Sequence, residues 1–380
     1  MKKFLALSKS EFLRHIRNPV LLVAMVSVPL VIALFGTYFM PANSLRYLKL
    51  AFYNEDKSFL GNFLINFVSS FLKWENIYRF NSLRDFNDSL KSGEVDAGII
   101  IPKGFASSIL FKKPSKIIYV PGLDDPQLSI ALYQTLSSIL NELGASPLFT
   151  DPTLIKSVKP EPSIKPPKLV MKLPNGKDPN LDSLLFPGIA VASAILIAMV
   201  GVAGSIGEDR EEGVIDGIFS SPVALSNYMF SKFVVHVTLG VIEAFGIFTI
   251  PLLLGIRYPG NFGKMFLFTM LSICMAVSLG LLFSAPVNSR RASVFISGGV
   301  GALFILTSGA FIPLSALPDV IKKILVYFPM TQAVRVVQRL SIVDYPMKSL
   351  ISFLTYMLLF STITFSVTLV LFALVKRYQQ

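Results

Sequence analysis

The chain has 380 residues, of which 53% are hydrophobic and only 15% are charged. An ordinary soluble domain carries about a quarter charged residues, so this composition excludes a typical soluble protein and indicates a membrane protein. The net charge of +12 fits the excess of Lys and Arg on the cytoplasmic side of membrane proteins. The basic residues are not interleaved with aromatic ones, which argues against a nucleic-acid-binding surface.

The N-terminal segment, residues 1–18, is predicted to form an amphipathic helix on the inner membrane surface. Its apolar side chains are Phe4, Leu5, Phe12, Leu13 and Ile16, and its basic side chains are Lys9, Arg14 and Arg17. Residues 19–39 then form a first predicted span, because their apolar run is too long for a secretory signal peptide.

Strand-like segments alternate with helical segments over residues 40–150. This pattern predicts an inserted extracytoplasmic α/β domain. Prolines then accumulate from Pro152 to Pro179, so residues 151–183 are predicted to be an extended connector that returns to the membrane.

The rest of the chain holds five more segments of about 20 apolar residues, the length that crosses a bilayer. Residues 184–206 form the second predicted span, residues 207–227 a cytoplasmic loop, and residues 228–380 the last four spans. These four spans lie at about 233–256, 265–286, 292–312 and 350–375. The predicted fold is therefore a polytopic α-helical membrane protein with six transmembrane helices and an inserted α/β domain.

The orientation follows from the basic residues in the short loops. With the N-terminus inside, the cytoplasmic segments hold Lys2, Lys3, Lys9, Arg14, Arg17, Arg210, Lys232, Arg290, Arg291, Lys376 and Arg377. The short outer segments hold Arg257, Lys264, Lys322, Lys323, Arg335, Arg339 and Lys348. The bias predicts that both termini are cytoplasmic.

The sequence contains no GxxxxGK[ST] phosphate-binding loop and no GxSxG or HExxH motif, so we expect no enzymatic activity in this chain. One cysteine, Cys274, and two histidines, His15 and His236, cannot supply the four ligands of a structural zinc site. We therefore predict no metal site.

The segment 207–227 carries a cluster of charges followed by a short apolar stretch. Asp209, Glu211 and Glu212 are predicted to precede a helix, at its positive end. Its apolar side chains recur at helical spacing on one face: Val214, Ile215, Ile218 and Phe219. An apolar stripe at the tip of a loop predicts a docking helix that a partner covers. A solvated loop is the simpler alternative.

Several stretches together resemble one family. They are GEDREEGVIDGIFSSP from Gly207, LFPGIAV from Leu185, GLLFSAPVNSRRA from Gly280, SGAFIPLSALPDVIKKILVYFPMTQAVRVVQ from Ser308, and GEVDAGIIIPKGF from Gly93. They resemble the ABC-type-2 permeases, the membrane subunits of ABC exporters, in the variant with a large extracytoplasmic domain between the first two spans. Two features depart from the family: Val214 replaces the usual threonine, and Arg290-Arg291 lies in a loop that is often less basic.

The resemblance implies the permease subunit of an ATP-driven exporter in the plasma membrane of a prokaryote. A separate cytoplasmic ABC ATPase subunit would bind ATP and magnesium, so this chain would need no cofactor. A second permease copy or a paralogue would complete a dimer surrounded by membrane lipid. Residues 311–338 would form short re-entrant helices at the outer face.

The resemblance also implies that the segment after the second span is the coupling helix, which receives the motion of the ATPase. The residues assigned to coupling are Glu208, Arg210, Glu211, Glu212, Gly213, Val214, Ile215, Ile218, Phe219 and Pro222. A second hypothesis is a membrane receptor or scaffold that uses its outer α/β domain without an ATPase.

Glu243 lies near the middle of the third predicted span. Acidic residues inside a membrane are costly and often functional. Glu243 is either neutralised by a neighbouring hydroxyl or helix partner, or it is a polar point that lines the translocation path or the dimer interface. An ion-coupled transporter would need several such acids, and we find one well inside a span. His236 is predicted to lie at the membrane interface.

Overall fold

A computed structural model describes residues 2–17, 23, 25–27, 48–70, 76–111, 113–122, 126–145, 167–174, 176, 181–312, 314 and 318–379. The chain splits into two compact units. The helical unit comprises residues 1–39, 185–314 and 319–380, and the sheet unit comprises residues 40–184 and 315–318. Apart from positions 23 and 25–27, the predicted first span lies outside the described residues.

Helix α1, Lys2–Ile16, packs against the helix Leu225–Leu253 and turns both polar and apolar side chains toward the protein. Glu11 is buried on this inner side, and Leu7 packs against the core beside it. Leu5, Leu13 and Ile16 are exposed on the outer side. Exposed apolar side chains on a helix of this kind fit a position against lipid.

The sheet unit contains five strands: β1 (Leu50–Asn54), β2 (Ile77–Phe80), β3 (Ala97–Ile101), β4 (Lys116–Pro121) and β5 (Lys168–Met171). They lie in the order β2-β1-β3-β4-β5. Strand β1 is parallel to β2 and β3, β4 is antiparallel to β3, and β5 is parallel to β4. The predicted connector therefore contains a strand, and that prediction is wrong for residues 168–171. A four-residue strand flanked by prolines gives too short a pattern to recognise.

Four helices accompany the sheet: α2 (Phe59–Ser69), α3 (Leu83–Ser92), α4 (Phe105–Leu110) and α5 (Pro126–Ala145). Helix α3 illustrates how the residues at its two ends determine the bounds of a helix. The Ser82 hydroxyl accepts from the Arg84 N–H at its start, and Gly93, at φ 77°, ends it in the left-handed conformation. Phe86 of α3 packs on β3 at Gly98, where an added Cβ would lie 2.3 Å from the Phe86 ring.

The helical unit continues with eight helices along the described chain. They are α6 (Leu181–Glu211), α7 (Val214–Phe219), α8 (Leu225–Leu253), α9 (Phe262–Ser284), α10 (Arg290–Thr307), α11 (Asp319–Val326), α12 (Pro329–Ile342) and α13 (Met347–Gln379). Among the described residues, five of them (α6, α8, α9, α10 and α13) are long and apolar enough to cross a membrane. They coincide with the second to sixth predicted spans. Helices α11 and α12 occupy most of the segment 311–338 predicted to be re-entrant.

Helix α9 is central to the unit, because it contacts α8, α10, α12 and α13. It also approaches α6 closely at Gly280, where an added Cβ would lie 2.4 Å from the Met199 carbonyl oxygen. Small residues at helix crossings let backbones come together in membranes, where association depends on close packing. Gly280 therefore sets the distance between the two most buried spans.

We expect the substitution Gly280→Ala to destabilise the helical unit by about 1–3 kcal/mol, because a methyl group there forces α6 and α9 apart. The measurement is the thermal unfolding midpoint of the purified protein. Gly299→Ala in α10 is the matched control: nothing lies within 4 Å of its added Cβ, so it should be neutral or stabilising by up to about 1 kcal/mol. Equal midpoints for the two variants would contradict this account of the α6–α9 contact.

Candidate functional site

Helix α6 does not end where the predicted loop begins at residue 207, but continues to Glu211. Asp209 and Glu211, predicted to precede the next helix at its positive end, therefore lie with Glu208 in the last turn of α6. The C-terminal end of a helix carries partial negative charge, so carboxylates there are unfavourable unless cations compensate. The helix continues because neighbouring elements supply these cations.

Arg14 of α1 provides the first of these cations. Its guanidinium lies 2.6 Å from a Glu208 oxygen, 2.9 Å from Asp209 and 3.6 Å from Glu212. Burial alone would lower the pKa of Arg14, but hydrogen bonds to Glu208 and Asp209 raise it above its ordinary value. One guanidinium thus joins the N-terminal helix to the end of α6.

Lys232 of α8 provides the second cation and is almost fully buried. Its ammonium lies 2.8 Å from Glu11, 2.7 Å from Asp209 and 2.6 Å from the Ser205 hydroxyl. Ser205 donates to Glu11 at 2.6 Å, and the Tyr228 hydroxyl donates to Asp209 at 2.7 Å. The buried ion cluster consists of Glu11, Arg14, Ser205, Glu208, Asp209, Tyr228 and Lys232.

Glu11 stays ionised within this cluster. Burial alone would raise the pKa of its carboxyl, but the Lys232 ammonium and the Ser205 hydroxyl lower it to about 2. Every charged member of the cluster therefore has an opposite charge or a hydrogen-bond donor beside it, which is the condition for burying charges at all.

The N-terminus of α10 also meets the end of α6. The Arg290 backbone N–H donates to Glu211 at 2.8 Å, and the Arg290 guanidinium lies 3.5 Å from Glu208. Gly207 allows this approach, since an added Cβ would lie 2.5 Å from the Arg290 Cα atom. Glu211, predicted as a coupling residue, thus holds the start of α10.

Arg210, also predicted as a coupling residue, caps a different helix. It donates to the carbonyl oxygens of Ala285 and Val287 at 2.5 and 2.6 Å and to the Asn288 side chain at 3.0 Å. These acceptors follow the end of α9, where a cation is favourable. The guanidinium also lies over the Phe372 ring of α13 at 5.3 Å.

The short helix α7 is separated from α6 by Gly213, whose φ of 73° requires the left-handed conformation. Ile215 and Ile218 are buried in this chain's own core, so the predicted apolar stripe is partly covered without a partner. Phe219 is half-buried against the same core, and Val214 is 39% exposed. The spacing predicted one apolar stripe of four side chains, and the structure divides it between the core and the exposed surface.

A continuous solvent-exposed surface remains around α7, here called the coupling patch. It consists of Glu211, Glu212, Gly213, Val214, Asp216, Gly217 and Ser220. Pro222 is exposed just beyond it. The coupling patch is acidic with one apolar side chain, and it is mounted on the ends of α6 and α7, which the core and the ions hold in place.

Glu243 lies apart from this region, 11 residues beyond Lys232 along α8, or about 16 Å at 1.5 Å per residue. Its side chain is buried, and neither carboxylate oxygen has a hydrogen-bond partner among the described residues. It lines a cavity of about 560 Å³ together with apolar side chains that include Ile16, Met25 and Ile242.

Sequence reasoning identified the carboxylates of α6 but missed Glu11, Ser205, Tyr228 and Lys232. A signal existed in Lys232, a cation at the start of an apolar helix, where charges are rare without a partner. Its partners could not be found in the sequence, because Glu11 lies in another helix more than 200 residues away. The two histidines, treated as isolated, also meet: their ring centroids are 5.0 Å apart.

We expect Lys232→Met to destabilise the protein by about 3–5 kcal/mol, because it removes the nearest cation of buried Glu11 and leaves the buried carboxylates with Arg14 alone. Lys264→Met is the matched control. Lys264 also forms an ion pair, with Asp344 at 2.6 Å, but on a partly exposed surface, where loss of the pair should cost less than about 1 kcal/mol. Thermal midpoints of the two variants provide the test, and a similar loss in both would contradict a special role of the buried ion cluster.

Comparison with known proteins places this geometry in a family. The model of the ABC-2 family transporter proteins matches residues 19–370. The chain is also similar to ABC transporter G family member 20 of Dictyostelium discoideum, with 26% identity over 323 residues. That alignment covers 83% of this chain and 42% of the relative, so the chain spans less than half of the relative's length. No solved structure matches the chain. The family model covers nearly the whole sequence, and the chain is a multi-pass membrane protein that belongs to the ABC-2 transporter family.

Proposed function

We propose that this chain is the permease subunit of an ATP-driven exporter, with ATP and magnesium bound by a separate ABC ATPase subunit. Membership of the ABC-2 family supports this role. The observation that carries the proposal is the coupling patch, an exposed surface on a short helix that is anchored to several spans.

In this proposal the ATPase docks on the coupling patch, and its closure displaces α7. Ile215 and Ile218 transmit the displacement into the core, because packed interiors yield little before they rearrange. The buried ion cluster joins the end of α6 to α1 and α8, and Arg290 joins it to α10. A push on α7 therefore moves the ends of these helices as one body and drives alternating access.

The proposed location is the plasma membrane of a prokaryote, with both termini in the cytoplasm. The ion pairs bring α1, the end of α6 and the starts of α8 and α10 together at one end of the helical unit. These are the segments rich in Lys and Arg, which favour the cytoplasmic side. The sheet unit, inserted between the first two predicted spans, is then extracytoplasmic, and α11 and α12 are re-entrant helices at the outer face.

We also propose that two permease chains, identical or paralogous, enclose the substrate path and that Glu243 lines it. A buried carboxylate beside a cavity, with no hydrogen-bond partner among the described residues, supports this role. Burial of an unpartnered acid is costly, so such residues in membranes are usually functional.

Val214→Asp tests the coupling patch. Together with the ATPase subunit in proteoliposomes, we expect this variant to lose at least about tenfold of the ATP-driven transport, because a charge at an interface centre weakens docking. Its thermal midpoint should match the parent, since Val214 is exposed. Ile218→Asp would not be informative, because Ile218 is buried in the core.

The matched control is Leu110→Asp in α4 of the sheet unit, where the leucine is 72% exposed. It introduces the same charge outside the coupling patch and should leave transport and ATP hydrolysis unchanged. If Val214→Asp transports normally in the assembled complex, α7 does not couple the ATPase, and a receptor or scaffold role becomes the better account.

Substituted-cysteine accessibility tests the role of Glu243 without knowledge of the substrate. The only cysteine, Cys274, is first replaced by alanine, and Glu243→Cys is introduced into that background. We expect a water-soluble thiol reagent to label this cysteine in the assembled transporter, at a rate that changes at least severalfold with ATP. Ala244→Cys, at the adjacent core position, should stay unlabelled. Equal labelling of the two cysteines would argue against a path at Glu243.

A further inference from the structure

The only two histidines of the chain are 221 positions apart and yet in contact. His15 of α1 and His236 of α8 have ring centroids 5.0 Å apart, with their planes at 83°. Glu11, one turn before His15, completes a group of three. Each of the three residues offers a ligand atom, and these atoms all lie within 4.8 Å of one another.

Hydrogen bonds to the backbone orient both rings. The Nδ1 atom of His15 lies 3.0 Å from the Glu11 carbonyl oxygen, and that of His236 lies 2.9 Å from the Lys232 carbonyl oxygen. A carbonyl oxygen only accepts, so each Nδ1 must carry the proton and donate. The His15 Nδ1 atom also lies 3.7 Å from the Glu11 Oε1 atom. Each Nε2 keeps the lone pair through which histidine binds metals.

The Nε2 atom of His236 is buried and has no hydrogen-bond partner among the described residues. Buried polar atoms are normally satisfied, and an exception calls for an explanation. Both histidines line a cavity of about 410 Å³, shared with Ser205, Glu208 and Arg290. A cavity of this size has room for an ion and for water to complete its coordination.

The surrounding charge also suits a cation. In the ion pairs that adjoin this site, the carboxylates Glu11, Glu208, Asp209 and Glu212 outnumber the side-chain cations Arg14, Lys232 and Arg290. The Lys232 ammonium competes with a metal ion for the Glu11 carboxylate, but it contacts only the Oε2 atom. The other oxygen, Oε1, accepts from Ser205, and a carboxylate oxygen has a second lone pair.

We propose that Glu11, His15 and His236 form a binding site for a borderline divalent transition-metal ion, with Zn²⁺ as the reference ion. Two imidazoles and one carboxylate are ligands that such ions prefer, whereas Mg²⁺ and Ca²⁺ prefer oxygen alone. Zinc–ligand bonds of about 2.0–2.2 Å require the three atoms to move inward by at most about 1.5 Å. The bound ion joins α1 to α8 beside the buried ion cluster.

The test uses the full chain, purified through a tag without histidine and stripped with a chelator. Titration with zinc chloride should show one equivalent bound per chain, with no saturable binding of magnesium. X-ray absorption of the zinc-loaded protein should show nitrogen and oxygen ligands, two of them imidazoles. The unfolding midpoint should rise by several degrees at zinc concentrations of about 100 times Kd.

His15→Gln and His236→Gln should each weaken zinc binding by at least about tenfold. Cys274→Ala is the control, since it removes the only thiol of the chain and should leave binding unchanged. Undiminished binding in the double histidine variant, or no saturable binding by the parent chain, would overturn the proposal and leave a ring contact only. The parent titration and its absorption spectrum decide the question even if a variant folds poorly.

Discussion

The helical unit depends on an electrostatic requirement at the end of α6. This helix finishes with Glu208, Asp209 and Glu211, at the end where its backbone is already partially negative. Three neighbouring elements compensate this negative charge. They supply Arg14 from α1, Lys232 from α8 and the first turn of α10. The acids thus determine which helices meet, and a local conflict between side chains and backbone becomes a long-range constraint on the fold.

The same arrangement explains the division of labour along the charged segment. Glu208 and Asp209 face inward and hold helices together, and Arg210 caps α9. Only from Glu211 onward does the segment present a surface to solvent. One run of charged residues therefore anchors the helices and also carries the exposed coupling patch. In the proposed function, a partner that docks on this patch transmits force to the helices that the run holds together.

The parts of the fold that could be predicted are those with a local cause. Long apolar runs predicted the spans now seen as α6, α8, α9, α10 and α13, because a membrane demands length and apolarity within one segment. The strand β5 escaped prediction because its four residues acquire a partner only through β4. In the site, spacing grouped Ile215 and Ile218 on one face of α7 but could not show that the chain itself covers them.

No local sequence pattern predicted that Glu11 pairs with Lys232 or that His15 contacts His236. Each residue, taken alone, is an ordinary polar position on an amphipathic or apolar helix. The physical reason for each is a partner brought close by the tertiary fold. A single charged or imidazole side chain in such a helix therefore indicates that a partner exists, but it does not show where that partner lies in the sequence.

The distant partners of α1 have a consequence for biogenesis. Its ion and hydrogen-bond partners Asp209 and Ser205 are 195 and 194 residues further along the chain. During synthesis α1 therefore emerges long before anything can receive its polar side. Its apolar side, with Leu5, Leu13 and Ile16 outward, allows it to rest on the bilayer in the meantime. The contacts of α1 with α6 and α8 can therefore form only after these later helices have been made.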